Sequence, residues 1–116
     1  MQYMVLIYSQ PDDMERTPED WENTIPKYRA YTEMLQSRGA YVGSAPLAPT
    51  SSATTIRLQD GKKAMIDGPF AETKEWLAGY YIVNAATLDE ALAYAAECPA
   101  LERHAALEVR PVLDVN

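Results

Sequence analysis

Apolar and polar positions along the chain alternate in blocks that predict eight elements. Tyr3 to Tyr8 is apolar at both alternating sets of positions, the pattern of a strand covered on both faces. Thr17-Pro18-Glu19-Asp20 starts a helix, with Thr17 as N-cap, Pro18 in the first turn and acids where the helix dipole favours them. Pro26 predicts a break, so a short helix should precede it and the main helix should run from about Pro26 to Arg38. Ile25, Tyr28, Tyr31, Thr32 and Leu35 recur at helical spacing as its core stripe, and Gly39 marks its end. Trp21 reads as core by the same spacing.

The second half continues the pattern. Ser9 to Glu15 is a polar loop, Ala40 to Leu47 a strand, and Thr54 to Leu58 and Lys63 to Ile66 a hairpin around Asp60-Gly61. Trp76 to Val83 is a strand apolar on both faces. Thr87 opens a second helix to about Glu97 as a capping box with Glu90, with Leu88, Ala91, Leu92 and Ala95 inward and Pro99 as its stop. Leu107 to Leu113 is the last strand, placed at an edge by Pro111. This order is a ferredoxin-like α+β arrangement, an antiparallel sheet with two main helices on one face, in a single domain over residues 1–116. Two helices leave one sheet face bare, yet two strands are apolar on both. A second copy packed sheet to sheet is the expected cover, which predicts a homodimer.

Composition narrows the function classes. The chain has 116 residues, a formal net charge of −7 and an apolar fraction of 47%. The ten Lys and Arg are dispersed, which argues against nucleic acid and anionic membrane surfaces as partners. The single cysteine, Cys98, forms no internal disulfide and reads as a small core residue. Met1 to Ser9 is too short an apolar run for a signal peptide and lacks a basic leader, so a cytoplasmic location is expected.

Candidate chemistry concentrates in Asp67-Gly68-Pro69-Phe70-Ala71-Glu72-Thr73-Lys74-Glu75, where charge meets an apolar strand. Two roles are open to Asp67: a desolvated general acid or base, or a cap on the Gly-Pro turn. Glu72 is the other catalytic candidate. Tyr8, Phe70, Lys74, Tyr81 and Arg110 are candidate ligand contacts, and Arg110 could instead pair with Glu72 or Asp67. Asp67, Glu72 and Glu75 give only a weak pattern for Mg²⁺ or Ca²⁺, so neither a metal nor a cofactor is expected. His104, the only histidine, reads as exposed or capping.

The nine-residue motif, followed by Gly79-Tyr80-Tyr81, Asp89-Glu90-Ala91 and Glu108-Val109-Arg110-Pro111-Val112, resembles the DGPF-motif branch of the YCII-related family across the whole chain. The resemblance implies a dimeric α/β-barrel and no agreed activity. Some relatives are similar to a dehydrochlorinase with a proposed His and Asp pair. Here the first helix reads Pro26-Lys27-Tyr28-Arg29-Ala30-Tyr31 and the second ends Glu97-Cys98-Pro99, so neither member is at the matching place. Three readings follow. The chain is a cofactor-independent small-molecule enzyme using carboxylates, a ligand-binding or regulatory module linked to an extracytoplasmic-function sigma factor, or a protein whose motif only builds the dimer.

Overall fold

Four strands form one antiparallel sheet in the order β2-β5-β1-β6, with β1 at Gln2–Ser9, β2 at Tyr41–Pro46, β5 at Trp76–Asn84 and β6 at Ala106–Pro111. The computed structural model describes residues 1–11 and 16–115; residues 12–15 of the expected polar loop lie outside the described residues. If the four sheet strands are counted alone, their order is that of a ferredoxin-like sheet, and the α+β architecture agrees with the one predicted. β6 is an edge strand, which is where Pro111 is tolerated. The remaining strands, β3 at Thr54–Gln59 and β4 at Lys62–Asp67, pair only with each other. They form an arm inserted between β2 and β5. Its turn, Asp60-Gly61, has φ of 51° and 79°, the two left-handed residues a tight hairpin requires.

The first helix, α1, spans Pro18–Ser37 as one unit, so the break expected at Pro26 does not occur. Proline there removes one N–H, the partner of the Glu22 carbonyl, and that turn faces solvent, where water replaces the lost donor. A capping box holds the start: the Asp20 N–H donates to the Thr17 hydroxyl at 3.2 Å and the Thr17 N–H to the Asp20 carboxylate at 3.0 Å. Tyr31 and Leu35 bury the far half. Ile25 and Trp21 do not join the core as expected and are 48% and 45% exposed.

The second helix, α2, covers Leu88–Ala95 and is capped by Thr87, whose hydroxyl accepts from the Glu90 N–H at 3.2 Å. Its buried residues are Ala91, Tyr94 and Ala95, whereas Leu88 and Leu92, expected inside, are nearly half exposed. The alanines let the helix approach the sheet closely, and Tyr94 fills the space a leucine would have taken. The Tyr31 hydroxyl donates to the Tyr94 carbonyl at 2.7 Å and ties the two helices together. No helix among the described residues is long and apolar enough to cross a membrane.

Both helices cover one sheet face. Tyr3, Val5, Ile7, Tyr81 and Val83 form the core with Tyr31, Leu35, Ala91, Tyr94, Ala95 and Cys98. Register places Met4, Leu6 and Tyr8 of β1 on the other face, opposite Ile82, Tyr80 and Leu77 of β5. Glu108 and Arg110 of β6 flank Leu6 and Met4 there. The molecule measures 48 × 44 × 19 Å. Its thin dimension is the depth of one helix layer on one sheet, and among the described residues no helix lies on the second face.

Candidate functional site

A cavity of about 770 Å³ opens between α1 and one end of the sheet. That volume is within the range of small-molecule sites. Trp21, Thr24, Ile25, Tyr28, Arg29, Thr32, Glu33 and Gln36 line it from α1, a single stripe at three- and four-residue spacing. The facing wall mixes small residues, Ser9 of β1, Ser44, Ala45 and Pro46 of β2, and Ala78 and Gly79 of β5, with Ile7, Tyr80 and Tyr81. Where the small residues face the helix, the gap stays open. The chain after β2 closes one end, anchored by the Leu47 N–H donating to the Ala78 carbonyl at 2.8 Å.

Polar groups converge at the inner end. The hydroxyls of Thr32 and Tyr81 lie 2.9 Å apart, and those of Tyr41 and Ser44 2.7 Å. Ser44 also interacts with Tyr81, which makes a chain of four hydroxyls along the wall. Burial pushes the Tyr81 phenol up from its ordinary value of 10.0, against the smaller opposing pull of the Thr32 hydrogen bond. Tyr81 is therefore a neutral donor at neutral pH. Its ring packs edge-on against Tyr31 and Tyr41 at 5.1 and 6.2 Å, which fixes its orientation. At the mouth, Arg16 lies 4.9 Å over the Trp21 ring. The arrangement suits an apolar or aromatic body with an oxygen that accepts from Tyr81 or Thr32.

Burial also pushes up Tyr31 and, from its ordinary 9.0, the Cys98 thiol. The folded chain holds these protons at pH values where the unfolded chain releases them, so stability is intact below about pH 9 and falls above it. The urea midpoint is expected to be flat from about pH 7 to 8.5 and to drop steeply beyond about pH 10. In Tyr31→Phe/Tyr81→Phe that drop should be shallower, and an unchanged slope would contradict this assignment.

Of the residues singled out from sequence, Tyr81 lines this cavity. Asp67 ends β4 and is exposed, as are Phe70, Glu72 and Lys74 in the segment that follows. None of these four lines the cavity. The Gly-Pro turn is pinned by other groups than the Asp67 carboxylate: the Gly68 N–H donates to the Ala53 carbonyl at 2.8 Å, and the Thr55 hydroxyl to the Gly68 carbonyl at 2.9 Å. Phe70 instead lies under Arg57 of β3, 5.1 Å from its guanidinium. Tyr8 is on the second sheet face. Arg110 pairs with Glu108 at 3.2 Å on the same strand rather than with Glu72 or Asp67. Among the described residues no three His, Cys, Asp or Glu side chains form a group that could hold a metal ion. His104 is exposed and closes the Pro99–Arg103 turn in a left-handed conformation, φ 62°. Cys98 is buried, as expected of a core residue.

Sequence reasoning assigned Trp21, Tyr28 and Thr32 to the core and passed over Ser9, Thr24 and Ser44. A usable signal was present: hydroxyl and small residues fall at corresponding ends of three strands, which a well-filled core would not place together.

The chain is 36% identical over 114 residues to "Uncharacterized protein R00369" of Rhizobium meliloti (strain 1021), an alignment covering 97% of this chain and 92% of that protein. A family description of the YCII-related domain matches residues 1–116, and the chain belongs to that family.

Proposed function

We propose that the cavity beneath α1 binds a small, largely apolar molecule carrying an acceptor oxygen, and that the binding unit is a homodimer, a dimeric α/β-barrel of the family's DGPF-motif branch. The observation that carries the reading is the 770 Å³ cavity, apolar for most of its wall, with the Thr32 and Tyr81 hydroxyls converging at its inner end. The dimer is supported by the second sheet face, where Met4, Leu6, Tyr80 and Ile82 form an apolar centre rimmed by Glu108 and Arg110. A catalytic part for Asp67 and Glu72 requires an assembly in which another copy's motif reaches the cavity, because on their own chain both carboxylates are exposed and outside it.

Trp21 at the mouth is a built-in reporter. In Trp76→Phe, where it is the only tryptophan left, titration with a panel of small aromatic and alicyclic carbonyl compounds should give saturable fluorescence changes. Adding Thr32→Val or Tyr81→Phe should weaken binding by about tenfold, the loss of one hydrogen bond to a neutral group. If no compound saturates the signal or raises the melting temperature of the wild type, the binding reading fails.

A further inference from the structure

The arm formed by β3 and β4 has two unlike faces. Cross-strand register puts Ile56 opposite Met65, with Leu58 next along the same side, and the three are 63%, 75% and 71% exposed. Lys63 stands opposite Leu58 on that side; the other side carries Thr55, Arg57 and Gln59 opposite Ile66, Ala64 and Lys62, with Phe70 beneath Arg57. A two-stranded hairpin is marginal by itself in water. This one displays an apolar patch of a few hundred Å², about the largest a soluble monomer usually shows. The projecting arm also makes the chain less compact than its length requires: the radius of gyration is 16.1 Å, against about 13 Å for a compact domain of this size.

Charge separates the arm from the rest of the chain. Residues 54–67 hold Arg57, Lys62 and Lys63 against Asp60 and Asp67, whereas the remainder holds seven Lys and Arg against fifteen Asp and Glu. We infer that the apolar side of the arm seats on a second copy of this chain, against the free face of that copy's four-stranded sheet near β6. The fit is apolar to apolar, Ile56, Leu58 and Met65 against the margin of that face at β6, where Ala106 and Val112 are exposed, while Met4, Tyr80 and Ile82 stay with the sheet-to-sheet contact. Of the arm's basic residues, Lys63 lies on the seating side, opposite Leu58, where it meets an acidic body that includes Glu108. The arm patch is about half of the roughly 800 Å² each partner contributes to a stable interface. It therefore extends the sheet-to-sheet contact rather than replacing it, and the inference rests on the homodimer proposed above.

The test compares wild type with Ile56→Lys/Met65→Glu in sedimentation equilibrium. This pair of substitutions keeps the net charge and places opposite charges across one rung of the arm, so the hairpin is retained while its apolar side is lost. The dimer dissociation constant is expected to rise at least 100-fold. In parallel, Leu58→p-benzoylphenylalanine is photolysed, and the cross-links are expected on β1, β5 or β6 of the second copy. Wild type that is monomeric at micromolar concentration overturns both the homodimer and the seated arm. A wild-type dimer with an equally tight double variant, or cross-links confined to the same chain, overturns the arm alone.

Discussion

Replacing Leu35 with alanine is expected to lower the free energy of unfolding by about 3 to 4 kcal/mol, in the upper half of the range for buried leucines. Leu35 is fully buried in the layer between α1 and the sheet, together with Val5 and Val83. The helix above it is held by the capping box at Thr17 and by the Tyr31 bond to Tyr94. It cannot settle into the space left by the lost methine and two methyl groups, so a cavity persists. The urea midpoint should fall with no change in slope, and the melting temperature should drop by on the order of 10 to 20 °C. Leu92→Ala is the control, because the same atoms are removed from a residue that is 45% exposed; it should cost less than about 1.5 kcal/mol. Equal losses at the two positions would mean that α2 presents a different face to the sheet.

Gly79→Ala is the second large effect, expected at about 2 to 3 kcal/mol from overpacking. A methyl group at Gly79 would lie 2.9 Å from the Ala45 carbonyl oxygen and 3.3 Å from the Pro46 Cα, both backbone atoms of β2. No side-chain rotation relieves that contact, so β2 must move away from β5. The rung is already weak, because Pro46, opposite Gly79, has no N–H to donate. Gly79, Ala45 and Pro46 all border the cavity, and the displacement should weaken ligand binding along with stability. Gly43→Ala provides the contrast. It lies on the same edge strand with nothing within 4 Å of an added methyl, and should change the urea midpoint little. A Gly79→Ala protein as stable as wild type would show that β2 packs less closely than described.

Local rules were legible in the chain where one residue decides the outcome. Thr17 and Thr87 cap their helices because a hydroxyl at that position has an adjacent orphan N–H to satisfy. Asp60-Gly61 makes the hairpin turn because both residues tolerate positive φ. The order of elements, and with it the ferredoxin-like arrangement, followed from such signals. Errors arose where the outcome depends on what lies opposite. Trp21, Ile25, Tyr28 and Thr32 share a stripe with Tyr31 and Leu35, and periodicity alone cannot distinguish a core contact from a cavity wall. The difference is set by Ser9, Ser44, Ala78 and Gly79 across the gap. Leu88 and Leu92 were expected inside on hydrophobicity, but alanines permit the closer approach. The charged motif drew attention because carboxylates beside an apolar strand resemble an active site. In the fold it forms the return from an arm, and those carboxylates face solvent.

The site itself shows why composition was a poor guide to it. Its polar groups are hydroxyls, which carry no charge and are common in any sequence, and its walls are residues that would serve equally in a core. Only the meeting of three strand ends with one stripe of a helix makes them a site. The family match is consistent with that: it extends over the whole chain and brings no activity with it.

α1 is continuous in geometry and divided in anchorage. The cavity borders its inner stripe from Trp21 to Gln36, but Tyr31 and Leu35 are set in the core, whereas the first half is held by buried Thr24, by Tyr28 against the core edge and by Lys27 paired with Glu102 at 2.6 Å, and Pro26 removes one backbone bond from that half. The first three turns are thus held by fewer apolar contacts than the part that carries Tyr31 and Leu35, so local opening over the cavity is expected to cost less free energy than global unfolding. The proline that did not break the helix lies in the more lightly held half, and the Tyr31 to Tyr94 bond marks where the firmer half begins.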